Sequence, residues 1–330
     1  MRLMFVGDVN LGEYYPSFGH GPATFAEAND IFAGVSSTLG LANVVAGNLE
    51  ASITDLNLDS SEPESMVLRA SPAHAKQFKS AGFRILQVAN NHSVQHGDDA
   101  FEQSVAIAES LGIAVIGLKD QEPVTISESG LTVGFLAASD VPDNTDKEQQ
   151  HYQRLDDSFD EIVRRTVKSV DHLIVMLHWG LEASTVPLPY QRELAAKYKE
   201  YGVRAIVGSH PHLFYEVERD GDFVCAYSLG NFVFDLCWDT RLLKSGILDI
   251  ELDSASVRNA KVWPVRITKN GCFPVNSGDP AEIVDTLRIY DLGSNMKWQQ
   301  IKKLIYFFKN IFAGKTDLKL KFIARKFRLL

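Results

Sequence analysis

The sequence predicts an α/β sandwich built on mixed sheets. Three observations carry that expectation. Apolar runs of strand length alternate with helix-length amphipathic stretches along most of the chain. Hairpin and meander signals take over from the helices toward the C-terminal side. Several of the apolar runs end in polar residues, which gathers chemistry along one edge, where open α/β sheets bind ligands.

Leu3-Met4-Phe5-Val6 reads as a strand ending at Gly7-Asp8-Val9-Asn10, and Asn43-Val44-Val45-Ala46 as another ending at Gly47-Asn48-Leu49-Glu50. Residues 24–40, between them, look helical. Residues 72–81 read as a helix closed by Gly82, before a strand over 84–89 that runs into Asn90-Asn91-His92. Residues 98–111 form an amphipathic helix with Phe101, Val105, Ala108 and Leu111 on one face, and 113–116 a strand. Strands over 124–127 and 131–136 flank Glu128-Ser129-Gly130 as a hairpin. The polar segment 139–152 is long for a connection and reads as a mobile flap over a site.

Residues 156–170 are helical in pattern, and 172–177 form a strand ending at His178-Trp179-Gly180. A helix over 190–201 is capped by Gly202. Ala205-Ile206-Val207 then leads into Gly208-Ser209-His210-Pro211-His212, and strands over 223–227, 246–252 and 261–267 complete the set. Neither a solenoid repeat nor a low-complexity linker is present.

Composition bounds the function. With 330 residues, 45% hydrophobic and 23% charged, the chain is long enough to bury a sizeable core. Cys225, Cys237 and Cys272 lack CxxC spacing, so neither a disulfide framework nor a thiolate zinc knuckle is indicated. The apolar run at residues 3–6 is too short for a signal peptide or a membrane span, so the expected location is cytoplasmic. Of the net charge of −9, residues 297–330 contribute +9 and residues 1–296 contribute −18. An acidic body does not grip nucleic acid through its field, and no nucleic-acid partner is expected.

The residues that follow strands are Asp8 and Asn10, Glu50, Asn91 with His92, His178, and His210 with His212. Taken singly, each suits an ordinary turn, a solvated charge or a core histidine. Repeated at strand ends along the chain, they point to one shared site. Carboxylate, amide oxygen and imidazole suit Mn, Fe or Zn, and two such ions about 3.5 to 4 Å apart activate a bridging water and clamp the oxygens of an in-line displacement. In an extended segment His210 and His212 would point to one side, roughly 6 to 7 Å apart, which suits two neighbouring ions.

Gly7-Asp8-Val9 with Leu11-Gly12, Gly47-Asn48-Leu49-Glu50, Ala89-Asn90-Asn91-His92, Leu177-His178-Trp179-Gly180, Gln191-Arg192-Glu193-Leu194-Ala195, Gly208-Ser209-His210-Pro211-His212 and the run from Tyr227 through Asn231 to Asp235 resemble the CapA proteins. Those proteins belong to capsule and poly-γ-glutamate synthesis and resemble the calcineurin-like metallophosphoesterases. The motifs keep family order over roughly residues 3–265.

The resemblance implies a four-layer α/β/β/α sandwich and a metal-dependent hydrolase with a dinuclear centre of two divalent transition-metal ions. A metal-bound hydroxide would attack a phosphoester, or an amide-like or polymeric substrate. Asp8 and His212 would hold one ion, Asn91, His178 and His210 the other, and Glu50 would take the bridging place. His92 would protonate the leaving group or act as a cation in the transition state.

Four positions depart from the family pattern. Asn10 stands where phosphoesterases place a metal-binding histidine, Gln95-His96 stand where an aspartate and an aromatic are usual, and Glu13 replaces a common arginine. The apolar Tyr227–Asp235 run reads as a buttress, and Trp179 as packing. The rival functions are a general metallophosphatase or phosphodiesterase and a non-catalytic assembly subunit of a polymer-synthesis complex.

The division expected is a CapA-type domain over 1–285 and a basic amphipathic segment over 286–330. In that segment Ile301, Leu304, Ile305, Phe308 and Phe312 recur at helical spacing among Lys302, Lys303 and Lys309. Two placements fit the pattern: a helix packed on the acidic body, or an interfacial segment lying on an anionic membrane.

Overall fold

The computed structural model describes residues 1–144, 151–293 and 299–326, with side chains as far as residue 321. Two sheets lie face to face. In the first, the parallel strands Arg2–Val9, Val44–Leu49, Phe83–Gln87 and Ala114–Ile116 are extended beyond Arg2–Val9 by the antiparallel run Lys244–Leu252, Val257–Thr268 and Phe273–Asn276. In the second, Leu131–Ser139, His172–His178, Ala205–Ser209 and Phe223–Ala226 run parallel, with Val124–Glu128 and Val217–Asp220 antiparallel beside them.

Strand alternation sets the layers. Phe5 points to the space between the sheets, against Phe135, Ile174 and Val207, while Met4 and Val6 face outward into the layer that holds Phe101 and Ala108 of the Asp98–Ser110 helix. On the far side, Leu136, Val175 and Leu177 pack with the helices Asp157–Thr166 and Pro189–Tyr201. Helix, sheet, sheet and helix therefore make four layers, and central strands buried on both faces read as unbroken apolar runs. Each large side chain buried between the sheets contributes about 1.5–3 kcal/mol. That packing, rather than any polar contact, brings the two strand edges together.

Local chemistry explains the element ends. Asp156 Oδ1 accepts from the Phe159 N–H at 3.1 Å and caps the Asp157–Thr166 helix, which ends before residue 170. Pro189 opens the next helix and Gly202, at φ +96°, closes it in the left-handed conformation that favours glycine. Ser129 and Gly130 take φ +53° and +80°, as a two-residue hairpin turn requires.

Residues 24–40 are not one helix. Only Pro22–Ala26 and Ser36–Leu39 are helical. Asp30 Oδ1 accepts from the Phe32 N–H at 2.9 Å, a local turn that competes with the helix, and a Cβ on Gly34 would come within 2.6 Å of Pro274 O. Ile31, Phe32, Val35 and Leu39 are still buried, so the apolar spacing serves a turn-rich cover over the core.

The boundary expected at 285/286 falls inside the body, because Thr286–Leu287 pairs with Val217–Asp220. Of the expected flap, residues 145–150 lie outside the described residues. Its flanks are tied down: the Asn144 N–H donates to Asn91 O at 3.2 Å and Arg154 donates to Val141 O and Asp140 O. Lys297, at the start of the basic segment, is likewise outside the described residues.

The helices Gln299–Lys309 and Thr316–Lys326 follow. Tyr306 packs at a tilt against Tyr15 and edge-on against Phe18, with ring centroids 5.5 and 5.7 Å away, and its hydroxyl lies 3.1 Å from His20 Nε2. Lys302 pairs with Asp239 at 2.5 Å, and Leu318 is buried. Among the described residues, no helix is long and apolar enough to cross a membrane.

Candidate metal centre

The site forms where the C-terminal ends of parallel strands from both sheets meet. In the first sheet Asn231, Asp8, Asn48 and Gln87 stand side by side in register. In the second, His178 sits between Ser209 and Ser139. Glu50, Asn91, His92, His210 and His212 lie just past strand ends, so Asp8, Glu50, Asn91, His92, His178, His210 and His212 come together in one cluster.

A ladder of amides orients the cluster. The His92 backbone N–H donates to Asn90 Oδ1 at 3.1 Å, Asn90 Nδ2 donates to Asn48 Oδ1 at 3.1 Å, and Asn48 is thereby turned with its NH2 end inward. Asn48 Nδ2 then donates to Asp8 Oδ1 at 2.8 Å and Glu50 Oε2 at 3.1 Å and lies 3.3 Å from His178 Nδ1. Asn48 is therefore a donor between the two carboxylates, not a ligand. It was not among the residues picked from the sequence, although Gly47-Asn48 repeats the glycine-then-polar strand end of Gly7-Asp8.

Once those donors are assigned, Glu50 Oε1 and His210 Nδ1 remain buried without a hydrogen-bond partner, and Asp8 Oδ2 has only the approach of His212 Nδ1 at 3.2 Å. Each such atom costs about 1–3 kcal/mol unless something else satisfies it. Ligand atoms of Asp8, Glu50 and His178 lie within 4.8 Å of one another, and Asn91 Oδ1 is 2.8 Å from His178 Nε2. Burial pushes the Glu50 carboxyl well above its ordinary range, with the Asp8 charge adding to it, and a cation relieves both effects. Burial and the neighbouring imidazoles push His178 well below 6.5 and His210 down to about 4, which leaves neutral rings with lone pairs to offer. Acceptor-rich and buried, this set fits a divalent metal site.

His212 differs from its neighbours. Burial lowers its pKa, but its approach to Asp8 and Asn231 more than reverses that, and the net direction is upward. Asn231 Nδ2 donates to Leu242 O at 3.2 Å, which turns Oδ1 toward His212 Nδ1 at 2.9 Å. Nδ1 thus carries the proton, 3.2 Å from Asp8 Oδ2, and Nε2 faces Glu50 Oε1 at 3.7 Å. The ring centroids of His210 and His212 are 6.2 Å apart, but not because the segment is extended: the two residues take φ +94° and +59°. Such a conformation is strained for residues with a side chain and persists only where its surroundings hold it. Asn10 uses its amide oxygen locally, accepting the Gly12 N–H at 2.7 Å, and leaves Nδ2 unpaired.

His92 Nδ1 lies 2.8 Å from Gln95 Oε1, and Gln95 Nε2 donates to Val67 O at 3.2 Å, so the glutamine amide is fixed as the acceptor. His92 Nε2 consequently faces Glu50 Oε1 at 3.9 Å. Glu13 bonds the Thr24 N–H and hydroxyl. Trp179 is fully buried, donating to Tyr227 O at 2.9 Å, which makes it packing. Asp235 accepts from the Tyr14 and Tyr15 N–H groups, both at 2.8 Å, and so holds the loop after the first strand.

Above the cluster is a cavity of about 240 Å³, walled by Tyr14, His92, Glu182, His212, Trp238 and Lys303. Lys303 belongs to the C-terminal helix, and its ammonium lies 5.2 Å from the Trp238 ring. Neither Glu182 nor Lys303 was legible as a site residue.

Comparison with known proteins agrees with this architecture. Residues 2–236 match the family described as bacterial capsule synthesis protein PGA_cap. The chain is 27% identical over 312 residues to the PGA biosynthesis protein CapA of Bacillus subtilis strain 168, spanning 89% of this chain and 79% of that protein. It is 27% identical over 309 residues to the capsule biosynthesis protein CapA of Bacillus anthracis, spanning 88% and 72%. Among solved structures, one assigned as a 5'-nucleotidase from Staphylococcus aureus aligns with a TM-score of 0.53 at 12% identity, covering 93% of this chain and 58% of that one, a likeness of fold. The sandwich is of metallophosphoesterase type, and with more than half its length matched, the chain belongs to the bacterial capsule synthesis protein family PGA_cap.

Proposed function

We propose that the protein is a metal-dependent hydrolase of CapA type, acting on a phosphoester or amide bond in the synthesis of a cell-surface polymer such as capsule or poly-γ-glutamate. The observation that carries this reading is the set of buried, under-satisfied acceptors under the cavity: Glu50 Oε1 and His210 Nδ1 without partners, and Asp8 Oδ2 with only His212 beside it. Asp8 and His212 would hold one divalent ion, Asn91, His178 and His210 the other, with Glu50 between them. Ions so bound supply Lewis acidity and water activated at neutral pH.

The protein's own residues do the rest. Asn48 and Asn231 fix the orientation of the ligands from behind. Gln95 holds His92 with Nε2 toward the cluster, and burial keeps that ring below its ordinary pKa, so a proton placed on it is readily given to a leaving group. Lys303, across the cavity, offers a positive charge to an anionic substrate.

The test is metal analysis of the purified chain together with hydrolysis of phosphomonoesters, phosphodiesters and γ-glutamyl peptides in the presence of Mn, Fe or Zn. About two ions per chain and turnover on one class are expected. No retained metal and no turnover would leave the assembly-subunit reading in its place. Phosphoester turnover in a strain whose polymer is unaffected by loss of the gene would favour a general phosphatase.

A further inference from the structure

The Gln299–Lys309 helix has two unlike faces. Its inner face meets the body: Lys302 pairs with Asp239, Tyr306 packs at a tilt against Tyr15 and edge-on against Phe18, and Lys303 lines the cavity above the candidate metal centre. Its outer face is apolar and uncovered. Ile301, Leu304, Ile305 and Phe308 are 46%, 54%, 50% and 58% exposed, and Phe312, just past the helix, is 95% exposed. Their spacing places them in one stripe along the helix.

This is not the ordinary scatter of apolar residues on a surface. Six of the thirteen exposed large apolar side chains among the described residues lie between Ile301 and Leu320. Lys309 and Lys315 are exposed beside them, and residues 297–330 carry +9 against −18 for the rest of the chain. An apolar stripe flanked by cations, on a chain otherwise acidic, matches a surface that is both apolar and negatively charged.

We propose that the outer face of this helix docks on an anionic lipid bilayer, with the stripe in the headgroup boundary and the lysines on lipid phosphates. Because the inner face of the same helix walls the cavity, docking holds the cavity mouth at the membrane surface, where a membrane-attached polymer would be presented. A second copy of the chain is a poorer occupant, since pairing two stripes would set two segments of charge +9 against each other. The docking face uses no residue of the candidate metal centre and stands whether or not that centre is hydrolytic.

The experiment is vesicle sedimentation with the full chain. Vesicles of phosphatidylcholine containing phosphatidylglycerol are compared with phosphatidylcholine alone, for the native chain and for the double variant Ile305→Glu, Phe308→Glu. Both side chains are exposed, so the variant should unfold at the native temperature. Deleting the segment would instead uncover Phe18 and Tyr15. The native chain should sediment with the phosphatidylglycerol vesicles, less so at high salt, and the variant should bind at least about tenfold more weakly. Metal-stripped and metal-loaded protein should behave alike. The proposal fails if the native chain stays in the supernatant, if it binds neutral vesicles equally, or if the variant sediments like the native chain. It also fails if light scattering shows a native dimer that the variant breaks.

Discussion

Replacing Asn231 by alanine tests whether His212 is held for metal binding. Asn231 is fully buried, accepts from His212 Nδ1 at 2.9 Å and donates to Leu242 O at 3.2 Å. Its loss strands the Leu242 carbonyl, at a cost of about 1–3 kcal/mol to the fold. It also leaves Asp8 Oδ2, at 3.2 Å, as the remaining partner of the His212 Nδ1 proton, which draws on the oxygen that should bind metal. Losing the group that orients a ligand histidine weakens metal binding about 10–100-fold, or about 1.4–2.7 kcal/mol. Thermal unfolding of chelator-stripped protein reads the cost to the fold, and calorimetric Mn titration of the same stripped protein reads the loss of metal affinity. Asn231→Asp keeps the acceptor for His212 but not the donor for Leu242 O. It should recover metal affinity without recovering stability. A folded Asn231→Ala protein that binds both ions as tightly as the native chain would refute the assignment of His212.

Three further outcomes follow from the same geometry. His92→Ala should retain its metal yet turn over substrate on the order of a hundredfold more slowly, as measured by metal analysis and steady-state kinetics; unaltered turnover would remove His92 from the chemistry. Lys303→Gln should weaken inhibition by inorganic phosphate roughly tenfold with metal content unchanged, and Lys303→Arg should restore it, whereas equal inhibition constants would show that the cavity wall does not read charge. Asp235 is pushed by burial from 3.8 up to about 7, against the pull of the Tyr14 and Tyr15 N–H groups, so the fold favours its protonated form. That contribution is complete below about 3.8 and is lost as pH rises toward 7, at about 1.4 kcal/mol per pH unit. Denaturant unfolding of Asp235→Asn should lose this part of the decline between those limits; parallel curves for the two proteins would show that Asp235 does not titrate with folding.

Much of the fold and the outline of the site were legible in the sequence. Buried parallel strands announce themselves as apolar runs, and polar residues directly after them mark the edge where a ligand binds, so Asp8, Glu50, Asn91, His92, His178, His210 and His212 stand out by local pattern alone. Local pattern also misleads where tertiary packing overrides it. Residues 24–40 keep an apolar period without a continuous helix, because an Asx turn at Asp30 and the close approach of Gly34 to Pro274 break it. Likewise the 6.2 Å spacing of His210 and His212 comes from two left-handed residues rather than from extended chain.

What only the tertiary structure decided is which polar groups face which. Asn48 becomes the donor between two carboxylates through a ladder that starts at the His92 backbone, and Asn231 is turned by a carbonyl eleven residues further along. Gln95 becomes the acceptor for His92 because Val67 O holds its other end. Lys303 reaches the cavity from a helix far along the chain from Asp8. Hydrogen bonds have direction and short range, and these partners are neighbours only once apolar burial has pressed the two sheets and the C-terminal helix together. The sequence by itself determined the chemistry available at the edge; the packing of the sheets determined how that chemistry is aimed.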